Sequence, residues 1–323
     1  MEHVLNPTPY PGVMADKDFL VLCQDFRQEL KNLIQDGRGA VAHDTYHKLA
    51  RAIFLHQNNG QKTHQPSELR RKGYEVFPQI ISQEDVKKLR SLLDNHLFQR
   101  STDEEARISQ AYSQTFGGEN TLRHAQIPAF EKKAVMQIVH KILSSDLGTK
   151  TTGLFESHFS LSRYMLNRVL PTTQPSGSFR WHRDLAPLAQ LHIMIYLTDT
   201  GENGEGGQTE FLNRTATREL ENVGYSFPKW TERVNHIDEI SGGQLYASEV
   251  VRPHLRPGDA IAFQACQVLH KGVAPQKDPR DTLTIILLPS LNPWTRMIDY
   301  YGDDVFLQRF ESHHSLGHNP DEP

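Results

Sequence analysis

The sequence predicts an α+β protein in which a helical N-terminal part precedes a β-sandwich or jelly roll. Three observations carry this. Apolar residues recur at helical spacing through the first third of the chain, and from Phe155 onward the period shifts towards two. The later strands are short. They are separated by Gly- and Pro-rich turns such as Gly201 to Gly207 and Arg256-Pro257-Gly258-Asp259, which favours a sandwich or jelly roll over alternating β/α units.

The elements follow in order. Asp16 is placed to cap a helix with Phe19, Leu22, Phe26, Leu30 and Leu33 on one face, and Gly37 suits its left-handed C-terminal position. A second helix is expected over His43 to Leu55, with Tyr46, Leu49, Ile53 and Phe54 inward; Asn58 to Gln65 reads as a polar linker. Tyr74-Glu75-Val76-Phe77 alternates like a strand. Ser82 caps the next helix, whose buried stripe is Val86, Leu89, Leu93 and Leu97. A further helix runs from about Ala129 to Ser145 and stops before Gly148. Strands are expected over 157–166, 178–184, 191–197, 208–212, 244–250, 259–265 and 281–288. No internal repeat is present, and the tail after Phe310 is polar. The domain division is 1–72 as a helical N-terminal extension, 73–290 as the main domain and 291–323 as a C-terminal segment.

Composition narrows the function. The chain has 323 residues and a formal charge of -4, which argues against phosphate-backbone binding and hence against nucleic acid. The apolar run Leu283 to Leu288 is far shorter than the roughly 20 residues of a membrane span, so no membrane role is expected. The start of the chain lacks the pattern of a secretory signal. Two cysteines, Cys23 and Cys266, make no disulfide framework and read as small core residues, which fits a reducing cytoplasm. The 17 histidines outnumber the 10 tyrosines, which prompts a search for a metal site.

In a strand over 178–184, His182 and Asp184 face the same way and present one nitrogen and one oxygen ligand. A second His-x-Asp, His236-Ile237-Asp238, lies in a polar stretch without flanking strands and leaves too little chain before His270 for the intervening strands. After the Pro257-Gly258-Asp259 turn and its apolar strand, His270 supplies a third ligand. Two histidines and a carboxylate on one face, with open positions beside them, is the arrangement of non-haem Fe(II) oxygenases. Arg280 opens the strand that follows. A guanidinium entering a core needs an anion, and its fork suits a carboxylate. Thr282 faces the same way and can add a hydroxyl. Arg180 shares the face of His182 and is a candidate contact for an acidic substrate group; Trp181 points the other way, into packing.

This order of His-x-Asp, distant His and Arg ten residues later resembles the Fe(II)/2-oxoglutarate-dependent oxygenases, in particular the phytanoyl-CoA dioxygenase-like branch. Gly73 to Pro78 with Ser82 to Val86, Trp181 to Asp184, and Ile195 to Thr200 carry the likeness; Gly206 to Phe211 and Arg163-Tyr164 look more like the prolyl-hydroxylase branch. The resemblance covers about Gly73 to Pro289. It implies a double-stranded β-helix (jelly-roll, cupin-like) core flanked by N-terminal helices. It implies that His182, Asp184 and His270 bind Fe(II), that Arg280 pairs with the distal carboxylate of 2-oxoglutarate assisted by Thr282, and that Tyr164 adds a hydrogen bond to that cosubstrate. If Tyr164 faces inward, so do Ser162 and Ser160; the opposite phase brings Arg163 inward. The implied reaction consumes O2 and hydroxylates a small organic molecule, with release of succinate and CO2. A carboxylate at Asp184, where halogenating relatives have a small residue, favours this outcome over halogenation. The competing readings are a jelly-roll metal dioxygenase that needs no 2-oxoglutarate and a non-catalytic binding protein on the same scaffold. Substrate choice falls to loops over the metal. These are 99–128, the insert 213–241 with Arg214, Arg218, Tyr225, Trp230 and Arg233, and the C-terminal segment. The insert reads equally as a cover for a polar or acidic ligand, a packing flap or an oligomer contact. The sequence leaves the oligomeric state open.

Overall fold

The computed structural model describes residues 39–58, 67–97 and 121–295 except 176, 186 and 187, with isolated positions before 39 and between 98 and 120. The apolar positions expected on the first helix, together with Asp16, Gly37, Cys23 and the tail after Phe310, lie outside the described residues, as does the linker beyond Asn58. The chain divides into two units, 1–65 with 151–160 and 289–323, and 66–150 with 161–288.

In the first unit, helix α1 (Gly39–Gln57) covers the expected second helix and extends it at both ends. Leu49 and Phe54 are buried as expected, joined by Ala50 and Ala52, whereas Tyr46 and Ile53 are only half-buried. Arg51 pairs with the buried Glu156, the His47 ring bonds the Phe155 carbonyl at 3.0 Å, and Phe54 meets His158 edge-on.

The second unit carries the sheets. Helix α2 (Glu68–Lys72) ends on Gly73, whose φ of 86° is the left-handed C-terminal conformation. Strand β1 (Tyr74–Phe77) follows, then helix α3 (Gln83–His96). As expected, the Ser82 hydroxyl caps α3 by accepting from the Asp85 backbone, and Val86, Leu89 and Leu93 are buried. Strand β2 (Leu122–His124) leads to helix α4 (Ala129–Leu143) and helix α5 (Asp146–Phe155), whose last turns belong to the first unit. The sequence expected a stop before Gly148. Helix α4 does stop, at Leu143; the new helix α5 then runs through Gly148, where a β-carbon would lie 1.9 Å from the Leu143 carbonyl oxygen. The glycine permits the close approach of two helix ends rather than terminating one.

Strands β3 (His158–Val169), β4 (Leu191–Tyr196), β6 (Ala260–Phe263) and β8 (Arg280–Ser290) join β1 and β2 in a six-stranded sheet of order β1-β6-β4-β8-β3-β2. Strands β5 (Thr209–Phe211) and β7 (His270–Gly272) form a two-stranded ladder, with helix α6 (Arg214–Asn222) following β5. Every pairing with a defined register is antiparallel. Single bridges extend the short ladder on both sides, Phe211 to Val251 and His182 to His270. Tyr74, Tyr196, Phe211, Leu255, Ile261, Phe263, Ala265 and Val268 form the apolar core of this unit, with Met194 and Val251 packed against it. Among the described residues no helix is long and apolar enough to cross a membrane.

Two expected strands do not form. Residues 244–250 are a 3-10 helix (Gly243–Glu249) entered through Gly242 at φ 76°, a conformation that ends extended backbone, so only Val251 pairs, with Phe211. Residues 178–184 begin as a 3-10 turn (Gly177–Phe179) and keep a single bridge at His182, because their remaining bonds go elsewhere: Trp181 N to the Val234 carbonyl and Asp184 N to that of Ala265.

One charged cluster ties β3 to β8. Asp281, 1% exposed, accepts from Arg168 through both carboxylate oxygens at 2.7 and 2.8 Å, and those bonds raise the guanidinium above its ordinary pKa. The other cation near it, Arg90, lies 3.6 Å away and is half-exposed. Arg168→Ala is expected to cost about 3–5 kcal/mol in urea denaturation, because it strands a buried charge. A loss below about 1 kcal/mol would show that Arg90 suffices as counter-ion.

Candidate metal centre

His182 and His270 face each other across a backbone bridge. Each donates its amide to the other's carbonyl at 3.0 Å, and their rings lie 4.4 Å apart. Both side chains are almost fully buried, at 4% and 6% exposure. In each, Nδ1 is spent on a main-chain carbonyl two residues earlier, Arg180 O at 2.7 Å and Val268 O at 3.0 Å. A carbonyl only accepts, so Nδ1 carries the proton and Nε2 presents its lone pair. Asp184 brings Oδ1 to 3.6 Å from His182 Nε2, and one ligand atom from each of His182, Asp184 and His270 lies within 4.8 Å of the others. Among the described residues this is the one such group of histidine, cysteine, aspartate and glutamate. Ligands on a common ion at about 2.0–2.2 Å stand roughly 3–4 Å apart, so small side-chain adjustments bring all three onto one cation. Two imidazoles and a carboxylate without thiolate suit a divalent first-row metal that keeps positions open.

The electrostatics agree. Burial pushes the imidazoles of His182 and His270 below their ordinary pKa, which keeps them neutral and ready to bind. Burial also opposes ionisation of Asp184, but His270, His192, His182 and Arg233 together hold its carboxyl below the usual aspartate range. His192 is depressed to about 4, mainly by burial. A histidine whose folded value lies below its unfolded one binds no proton in the folded chain between those values, while the unfolded chain does. The metal-free protein is therefore expected to keep full stability from this source above about pH 6.5 and to lose it as pH falls towards 4, by up to about 1.4 kcal/mol per unit for each such histidine. Urea midpoints at pH 7.5, 6 and 5 test this, and a flat profile contradicts it.

Beyond the metal group, Arg280 is 6% exposed. One terminal nitrogen donates to the carbonyls of Gly207, Gln208 and Val273 at 2.9, 3.4 and 3.4 Å, while Nε is buried without a hydrogen-bond partner. Among the described residues no carboxylate pairs with it, and desolvation lowers its pKa despite the offset from Tyr196. Thr282, 2% exposed, lies opposite Tyr196 in the β4–β8 register, and the Tyr196 hydroxyl bonds Thr209 Oγ1 at 2.8 Å. Alternation along β8 puts Arg280, Thr282 and Thr284 on one face, shared through the register with His192, Met194 and Tyr196 of β4.

Two expected residues sit differently from the rest. Asn167 donates to Thr284 Oγ1 at 3.5 Å and so shares that inner face, while Tyr164 is half-buried. Ser160 and Ser162 are buried and Arg163 is exposed, although its charge is among those that depress His192. Arg180 reaches the centre through its main chain, as the carbonyl that orients His182. The decoy behaves as one: His236 caps a 3-10 turn (Ile237–Glu239), Ile237 is buried and Asp238 is exposed.

Sequence reasoning missed His192, whose Nε2 lies 3.7 Å from Asp184 Oδ2. The available signal was a lone histidine at the inward phase of an otherwise apolar strand, Leu191-His192-Ile193-Met194-Ile195. It also missed what the insert does. Ala216, Leu220, Ile237 and Ile240 form a cluster with Trp181 and Leu269, the residues that precede His182 and His270. The Tyr225 hydroxyl locks this cluster to the metal segment by donating to the Trp181 carbonyl at 2.7 Å.

No family model matches the sequence, and no curated relative does. Solved structures similar to this chain include the epimerase SnoN with Fe3+, alpha ketoglutarate and nogalamycin RO, at 14% identity and a TM-score of 0.45 over 68% of this chain and 80% of that one. HygX from Streptomyces hygroscopicus with nickel, 2-oxoglutarate and hygromycin B gives 14% and 0.44 over 70% and 86%. EctD from S. alaskensis with 2-oxoglutarate and 5-hydroxyectoine gives 17% and 0.42 over 68% and 73%. Likenesses this distant carry no argument about the chemistry of this chain.

Proposed function

We propose that the protein is an Fe(II)- and 2-oxoglutarate-dependent oxygenase, built on a double-stranded β-helix over 73–290, that hydroxylates a small organic substrate. The observation that carries this is a pair of features: an orderly His182–Asp184–His270 donor set and, on β8, a buried guanidinium that no carboxylate among the described residues pairs. Of the carbonyls that hold Arg280, Val273 lies three residues past His270, and Gln208 and Gly207 lie three and four residues before Phe211, which pairs with His270, roughly 10–13 Å along the ladder. His182, Asp184 and His270 would hold the cation that takes one end of 2-oxoglutarate, and Arg280 would take its distal carboxylate.

Each residue has a task that needs no further group to describe. His182 and His270 offer neutral nitrogens whose direction is fixed by carbonyls behind them. Asp184 offers the single negative charge. Arg280 meets the distal carboxylate and Thr282 stands beside it on the same face. Phe211 and Phe263, packed on the His270 ring, keep water from that side. When bound, Fe(II) with 2-oxoglutarate and O2 supplies the oxidation, with succinate and CO2 as coproducts. Arg233 of the insert lies close enough to bias the ionisation of all three donor groups, and Arg163 does so at His192, so an acidic group on the substrate would enter a favourable field.

The alternative of a metal dioxygenase without 2-oxoglutarate leaves Arg280 buried to no purpose, and a binding protein has no need of an intact donor set. Anaerobic addition of Fe(II) and 2-oxoglutarate separates the three. A visible charge-transfer band, absent with either component alone, is expected. No band would overturn the proposal.

A further inference from the structure

Between His182 and Asp184 stands Arg183, a charged residue only 5% exposed. Its Nε donates to the Cys266 carbonyl at 2.9 Å, and its Nη1 lies 3.1 Å from Glu221 Oε2 and 3.5 Å from Ser226 Oγ. The Ser226 hydroxyl in turn donates to the other Glu221 carboxylate oxygen at 2.9 Å, and the guanidinium lies 4.2 Å from the centre of the Phe227 ring. Glu221 belongs to α6, and Ser226 and Phe227 follow that helix in the insert. Cys266 lies in the turn 264–267, which is closed by Gln267 N on the Gln264 carbonyl at 2.7 Å and leads to His270. One side chain thus joins three segments: the one that carries His182 and Asp184, the one that leads into His270, and the insert.

A cation at this place is costly. It must be desolvated, and its charge opposes a second cation nearby: behind burial, it is among the charges that hold the His270 imidazole below its ordinary pKa. A neutral side chain would pack there without repelling a metal. What the guanidinium adds is direction, because its planar fork meets a carbonyl and a carboxylate at fixed angles. The donors also differ in what fixes them. His182 and His270 are tied to each other through both amides. Asp184 is tied through its amide to the Ala265 carbonyl at 3.1 Å, and the next residue, Leu185, is 74% exposed. Arg183 adds a second attachment to the same turn, one residue further on. We propose that Arg183 is a positioning residue for the metal centre: clamped between the Cys266 carbonyl and Glu221, it sets where Asp184 stands relative to His270. This inference rests on the metal reading given under Proposed function and deepens it. Groups that support metal ligands from behind change metal affinity by about 10- to 100-fold when removed.

The test measures Co(II) binding by calorimetry, the visible spectrum of the Co(II) protein and the urea midpoint, for the unmutated chain and three variants. Arg183→Lys keeps the charge and lacks the fork. Arg183→Met removes both. The double variant, Arg183→Met with Glu221→Leu, removes the pair together, so it strands no charge and leaves the net charge unchanged. All three are expected to bind Co(II) about 10- to 100-fold more weakly, with an altered spectrum. Charge alone predicts otherwise: Lys unchanged, Met tighter and the double variant unchanged. A folded variant that binds Co(II) within about threefold of the unmutated chain, or more tightly, overturns the proposal. So does a lowered urea midpoint with affinity and spectrum intact, which is the mark of a packing role. Lys and the double variant suffice where Met does not fold. Failure of the unmutated chain to bind Co(II) would instead overturn the metal reading itself.

Discussion

Asp184→Ala is expected to abolish 2-oxoglutarate turnover while the chain stays folded. The carboxylate is the single negative donor in the group, and its loss leaves two neutral imidazoles to hold a dication. Its removal should cost little stability, because its side chain is 31% exposed and fills no apolar core position. His270→Ala should be equally inactive but less stable by about 2–4 kcal/mol, since its buried ring packs on Phe211 and Phe263. Succinate release read beside urea denaturation separates the two effects. Turnover retained by either variant under limiting iron would remove these residues from the metal.

Arg280→Met should move two quantities in opposite directions. Affinity for 2-oxoglutarate, titrated into the Co(II)-loaded protein, should fall by about 10- to 150-fold, the equivalent of roughly 1.5–3 kcal/mol for hydrogen bonds to a charged group. Stability of the ligand-free chain should hold or rise. Methionine removes a buried cation that no acid among the described residues neutralises, although it also frees the carbonyls of Gly207, Gln208 and Val273. Arg280→Lys should recover little, because an ammonium lacks the planar fork. A variant that loses stability without losing cosubstrate affinity would mark Arg280 as structural.

Helices α1, α3 and α4, the strands β1, β3, β4, β5, β6 and β8 and the grouping of His182, Asp184 and His270 were legible because their signals are local. The Ser82 cap, the apolar stripe of α3, the Pro257-Gly258 turn and the long run of β8 each decide their own conformation. β2 and β7, at three residues each, were not legible: so short a segment has no period and is held by its partners. Residues 244–250 misled because their apolar content reads as strand, while Gly242-Gly243 decides the backbone. The place of Asn167 beside Thr284 depends on which strand lies alongside, and that pairing is set by contacts more than a hundred residues apart in the chain. Arg280 was legible as a residue in need of an anion. That its nearest partners are main-chain carbonyls was not.

The cluster behind Trp181 and Leu269 gives the insert a mechanical part in the centre. It grips the two histidine segments from the rear, as a vice holds two jaws that must meet at a fixed gap. By thermodynamic reciprocity, whatever energy a cation gains from that fixed gap is returned to the insert as resistance to opening. A cation held at the centre would thus be read out in how tightly residues 213–241 are sealed. Variation in that outer segment, remote in sequence from every donor atom, can in turn retune how firmly the ion is kept.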